Sequence, residues 1–341
     1  MANLSNFTFT ARPDRARSLV DGWVINPGKK VSTLAGGDIV KGTSLLASLD
    51  GVLVSEGGRL ITGAGKDRVL GRGGLHGVLV EQTAVIKTGG GADTIRGLVA
   101  NGSFSGSITN HGLISTGGGN DILKGIRGDG VFSYGFGIEN TGRISMGPGD
   151  DSILGQSPNG TGLRVLTGSI DTGDGDDTIE GTRLGPIPTI FLTPGIEIGG
   201  EVRITTGDGN DLVIGRGITG IQNSGLIRTG RGNDRVDALT GGFSGLGGTL
   251  LGAGNDTLAG FAALGFGGGV NAGTFIGGKG KDKILLDNGV YTITGEILSR
   301  PADGGSMRVR SFEKIGGING GMFNFADGTL TVSGGVATSL V

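Results

Sequence analysis

Apolar and polar residues alternate along this chain in very short bursts. Gly106–Ser115 (GSITNHGLIS), Gly137–Ser145 (GIENTGRIS), Gly220–Arg228 (GIQNSGLIR) and Gly77–Lys87 (GVLVEQTAVIK) share one plan: a glycine, an alternation, a short turn and a second alternation. The period is two, which predicts strands with one face buried. Each predicted strand has only three or four residues, too few to bury an apolar face alone.

A second unit follows most of these stretches, with the pattern T-G-x-G-[ND]-D-x-[ILV]-x-G. It occurs at Thr62–Gly71, Thr88–Gly97, Thr116–Gly125, Met146–Gly155, Thr172–Gly181, Thr206–Gly215, Thr229–Ala238, Leu251–Gly260 and Gly277–Leu286. The aspartates are Asp67, Asp93, Asp121, Asp151, Asp177, Asp211, Asp234, Asp256 and Asp282, separated by 26, 28, 30, 26, 34, 23, 22 and 26 residues. A tenth stretch, Leu34–Gly42 (LAGGDIVKG), reads as a damaged copy one residue short.

A repeat this short that cannot close its own core predicts a solenoid. Stacked coils place Ile over Ile and Val over Val at the ~4.8 Å spacing of paired strands, and ten coils would make a rod roughly 48 Å long. The expected fold is all-β, a right-handed parallel β-solenoid of about ten coils of ~27 residues. Ile114 and Thr116 should point inward and Ser115 outward. Thr88, Thr116, Thr172, Thr206 and Thr229 then form an internal hydroxyl column, and Asn110 and Asn140 occupy matching corners. Residues 1–33 and 287–341 break the repeat, and a stacked rod needs its ends covered. They are the expected caps around a 34–286 repeat region.

Composition narrows the class. Glycine supplies 78 of 341 residues and proline only 8, without a G-x-y period, which excludes collagen and a proline-rich disordered tract. Hydrophobic residues make up 35% and aromatics 5%, suited to a thin, layered core. The net charge is −2 and the basic residues are scattered along the sequence. No stripe of the kind nucleic acid needs is visible in the sequence, so no nucleic-acid partner is expected. No run of 18 apolar residues would span a bilayer as a helix. Cysteine is absent, which says little about compartment. Met1 to Arg17 lacks the charged and apolar regions of a cleaved signal peptide.

The nine aspartates carry the candidate chemistry. Equivalent positions in neighbouring coils lie about 5 Å apart, so nine carboxylates in file would repel one another. Asn could cap such turns without charge, yet Asp stands in all nine copies. A hard cation between successive turns accounts for that choice. Glycines with left-handed backbone angles let carbonyls turn inward, and calcium takes six to eight oxygens in flexible geometry. Asp150, Asp174, Asp176 and Asp208 add charge to the central turns, while Lys66, Arg231, Lys279 and Lys281 weaken those near them.

The unit resembles the hemolysin-type calcium-binding nonapeptide, G-G-x-G-x-D-x-U-x, of RTX (repeats-in-toxin) proteins over roughly residues 62–286. The wider pattern, including Val236–Gly260 and Ser311–Val332, looks like a cyanobacterial RTX-like group. The resemblance implies calcium on the nine motif aspartates. It also implies folding after export, by type I secretion with an uncleaved C-terminal signal, and an extracellular or cell-surface location. Two features depart from the family: each coil holds one motif, and Thr, Met or Leu replaces the first glycine in every copy except Gly277.

Enzyme chemistry finds little support. His76 and His111 lie in different coils without metal-ligand spacing and read as solvated turn residues. There is no G-x-S-x-G element and no cysteine nucleophile. The expected function is a secreted or cell-surface calcium-binding solenoid with a structural or interaction role, its partners calcium and cell-surface or matrix components. The alternative is an adhesin or glycan binder with purely structural Asp turns, using Phe132, Tyr134, Phe136 and Phe191 in variable loops. Polysaccharide chemistry on paired carboxylates ranks below it. Ice binding would need a regular outward array, and the outward positions Lys87, Ser115, Ser145, Asp171, Thr205 and Arg228 are irregular.

Overall fold

In the computed structural model the short strands stack in parallel, each coil contributing up to three of them. The structure describes residues 1–99, 105–128, 135–185, 193–265, 268–269 and 271–341. One coil shows the plan. Val78–Val80 lies on the first face, Val85–Gly90 on the second and Thr94–Val99 on the third. The next coil repeats it with Ile108–Asn110, Leu113–Gly118 and Ile122–Arg127. Register is residue on residue: Val78 pairs with Ile108, Ile86 with Ile114 and Ile95 with Leu123. The protein is a parallel β-solenoid. Among the described residues the only helical element is the 3-10 turn Leu4–Asn6, so no helix is long enough to cross a membrane.

Alternation within each strand turns register into a core. On the third face Val69, Ile95, Leu123, Ile153, Ile179 and Val213 stand one above another, all fully buried. Similar aliphatic columns line the other two faces. Branched aliphatic side chains suit such a stack because each fills the gap left by an identical neighbour. The coil is thin where glycine demands it. A Cβ on Gly97 would run into the Ser107 carbonyl of the facing strand, and the Gly71 position is equally closed by Gly77.

The polar columns inside the stack also form. Thr62 Oγ1 donates to the Thr88 carbonyl at 3.0 Å, Thr88 to Thr116 at 3.1 Å and Thr172 to Thr206 at 3.1 Å. Asn110 Nδ2 donates to Asn140 Oδ1 at 2.7 Å.

Both terminal segments take part in the stack. Trp23–Ile25 pairs in parallel with Val52–Val54, and Arg15–Ser18 with Ile39–Gly42. At the other end Gly305–Arg310 and Lys314–Gly317 continue the parallel pairing. Gly289–Thr294, Ile297–Arg300 and Gly328–Ser333 pair antiparallel instead. Arg300 pins this segment, 2.6 Å from Asp303 and 4.9 Å above the Phe261 ring.

Candidate metal centre

Every T-G-x-G-x-D turn has the same backbone. Its two glycines take positive φ, +93° and +138° at Gly63 and Gly65 and +107° and +146° at Gly207 and Gly209. That conformation costs an L-residue and not glycine. The third residue's carbonyl accepts from the preceding coil: Gly65 N–H donates to Gly90 O at 2.7 Å, and Gly175 N–H to Asp208 O at 2.8 Å. These carbonyls therefore serve the inter-turn ladder, where the sequence suggested they would face an ion. Each keeps a second lone pair.

All nine predicted aspartates fall into one internal column, none more than 2% exposed. Asp67, Asp93, Asp121, Asp151, Asp177, Asp211, Asp234, Asp256 and Asp282 are chained through their own backbone. From Asp67 to Asp256, each Asp N–H donates to Oδ1 of the next Asp at 2.7–2.9 Å. One carboxylate oxygen per residue is thereby satisfied. The other is not: Oδ2 of Asp67, Asp93, Asp121, Asp151, Asp177, Asp234, Asp256 and Asp282 is buried without a hydrogen-bond partner. At Asp211, Thr206 Oγ1 fills that role.

The column is longer than the nine copies. Asp38 is fully buried, donates from its N–H to Asp67 Oδ1 at 2.7 Å and leaves its own Oδ2 orphaned. The stretch around it is a full-length copy, contrary to the sequence reading. Thr33 takes the threonine place, bonding Thr62 O, and Leu34 occupies the first glycine position at φ +74°. The match was hidden because leucine stands where the motif has glycine. Glu313 closes the other end, accepting from Asp282 N–H at 2.7 Å, and no motif announced it.

Burial dominates the electrostatics. It pushes the carboxyl of Asp151 up to about 8, those of Asp177 and Asp256 to about 7, and those of Asp67 and Asp211 to about 6, with neighbouring column carboxylates adding to the rise. Amide donors pull the other way, and at Asp211 so does the Thr206 hydroxyl.

Buried carboxylates this close must acquire protons or a cation. The donor set fits a hard cation: every unsatisfied group is oxygen, and carbonyl oxygens line the same turns. Among the described residues no cluster of three His, Cys, Asp or Glu side chains could hold a metal. An ion here would therefore need backbone or hydroxyl oxygens as well as Oδ2.

A second ladder runs outside. Asp176 N–H donates to Asp150 Oδ1 at 3.0 Å, Asn210 N–H to Asp176 Oδ1 at 2.7 Å, Asn233 N–H to Asn210 Oδ1 at 2.9 Å and Asn255 N–H to Asn233 Oδ1 at 2.8 Å. The acids expected to charge the central turns thus include two that cap exposed amides, while Asp208 pairs with Arg231 at 3.3 Å.

The histidines do other work. His76 is not solvated: it is half-buried, with Nδ1 2.8 Å from Asp50 Oδ1. His111 Nδ1 lies 2.6 Å from Thr141 Oγ1 at the surface. Of the loop aromatics, Phe136 is half-buried beneath Arg164 at 4.5 Å, and Phe132, Tyr134 and Phe191 lie outside the described residues.

No protein-family profile matches the sequence, and no curated protein matches it. A similar solved structure is that of a hyperactive, Ca2+-dependent, beta-helical antifreeze protein from an Antarctic bacterium. It is 16% identical, with 82% of this chain and 75% of that chain covered and a TM-score of 0.45.

Proposed function

We propose that this protein is a calcium-stabilised β-solenoid with a structural or interaction role outside the cell or at its surface, and not an enzyme. One observation carries the reading: a file of buried carboxylates, each with one oxygen bonded and, in all but one, the second orphaned. Oδ2 of Asp67, Asp93, Asp121, Asp151, Asp177, Asp211, Asp234, Asp256 and Asp282 would hold the ions, with Asp38 extending the file. Calcium would supply the positive charge that neutralises the column.

The chain's own residues prepare that role. Paired glycines fold each turn tightly enough to bring carboxylates into register, and the Asp amides fix one oxygen of each carboxylate so that the other faces inward. Because the column exists only when coils are stacked, ion binding and folding are linked. The RTX resemblance supports export before folding, since calcium is scarce inside cells and abundant outside. The test is far-UV circular dichroism and thermal melting after chelation, with calcium and then magnesium added back. A steep rise in β signal or melting temperature with calcium alone supports the reading. A chelated protein already fully folded and indifferent to calcium refutes it.

A further inference from the structure

Basic residues scattered through the sequence are gathered by register onto one face. Outward positions on the third face alternate with the buried aliphatics along Arg15–Ser18, Ile39–Thr43, Arg68–Gly73, Thr94–Val99 and Ile122–Arg127. Pairing places Arg17, Lys41, Leu70, Arg96 and Lys124 in one row across five coils. Arg68 and Arg72 flank that row. No Asp or Glu occupies an outward position on these five strands.

Among the described residues these cations have no acidic partner. Arg15, Arg17, Lys41, Arg68, Arg72 and Arg96 are exposed, and among the described residues none joins a salt bridge. Further along the same face the pattern changes: Arg216 pairs with Glu180 at 3.5 Å and Arg235 with Asp237 at 2.7 Å. Between the unpaired cations runs an open groove of about 440 Å³, lined by Lys41, Arg68, Arg72 and Arg96 together with Leu70 and Leu98. Like charges held this close, without counter-charges, favour a polyanion.

We propose that this groove binds a linear acidic polysaccharide, one bearing carboxylate or sulfate groups at regular intervals. Lys41 and Arg96 stand two coils apart, about 10 Å at the strand spacing, so cations recur along a straight line. Arginine forks suit both carboxylate and sulfate. Leu70 and Leu98 offer apolar surface to the C–H faces of sugar rings. Single-stranded nucleic acid fits less well: no aromatic occupies an outward position on these strands, so there is no platform for base stacking. Binding here does not depend on the calcium reading, because the groove lies on the outer surface and the carboxyl column inside.

The test uses the full chain and three fluorescent probes in low salt: an oligogalacturonate, a heparin oligosaccharide and oligo(dT). At least one saccharide should bind, with affinity that falls as salt is added. The triple substitution Arg68→Ser, Arg72→Ser, Arg96→Ser should weaken it about tenfold or more. Lys41→Glu should weaken it independently, while Arg203→Ser with Arg228→Ser on the second face should leave it unchanged. Preference for galacturonate or heparin tells carboxylate from sulfate recognition. Oligo(dT) bound more tightly than both saccharides, absence of saccharide binding, or binding indifferent to both groove variants would overturn the proposal.

Discussion

Raising the pH of the metal-free protein should unfold it. Burial holds the column carboxyls above their ordinary values, Asp151 to about 8 and Asp177 and Asp256 to about 7. The folded state therefore keeps these protons longer than the unfolded chain does. That stabilising contribution is complete below about pH 4, and it is lost as pH rises through roughly 6 to 8. One pKa unit of difference is worth about 1.4 kcal/mol, so a carboxyl held near 7 forfeits about 4 kcal/mol by neutral pH. Halved for water reaching the turns, three such groups still forfeit about 6 kcal/mol, within the whole stability of an ordinary domain. Calcium held only by the folded state would offset this, by about 4 kcal/mol for one site at a thousandfold excess over its Kd. The assay is thermal melting from about pH 4.5 to 8, in chelator and in saturating calcium. The chelated curve should fall steeply while the calcium curve holds. A chelated protein with the same melting temperature across that range would refute the reasoning, because it would mean the carboxyls titrate as if in water.

Further substitutions probe single links. Asp177→Asn keeps an acceptor for the Asp151 amide and removes the charge, so at pH 8 it should raise the melting temperature in chelator and lower it in calcium. Leu34→Gly relieves a leucine at φ +74° whose side chain is 57% exposed, and should raise stability by up to about 1 kcal/mol in urea unfolding. Gly97→Ala drives a methyl into the Ser107 carbonyl and should cost about 1–3 kcal/mol or more in the same assay. Thr206→Val removes the hydroxyl whose single hydrogen Asp211 Oδ2 and Thr229 O compete for, leaving Asp211 like its neighbours, at a cost of about 1–3 kcal/mol.

Much of the solenoid was legible because its rules are local. Period-two alternation marks the strands, positive-φ glycines mark the turns, and recurrence of the unit forces stacking, since no single coil can bury its own face. The Thr and Asn columns followed from the same counting. Asp38 was missed for a local reason too: Leu34 in a glycine position broke the pattern by which copies were aligned, yet inter-coil hydrogen bonds hold it in register. Glu313 was missed because it substitutes for Asp in a segment with no motif.

The sequence alone determined the repeat, its strand faces and nine of the aspartates that share a column. Only the tertiary structure decided what those side chains meet. Which carboxylate oxygen is bonded and which orphaned depends on a neighbour 22 to 34 residues away, and so does the spending of the turn carbonyls on the inter-coil ladder. The basic groove has the same origin. Arg17, Lys41, Arg96 and Lys124 are far apart along the chain and lie in one row in space, because parallel register converts sequence distance of a whole coil into about 5 Å.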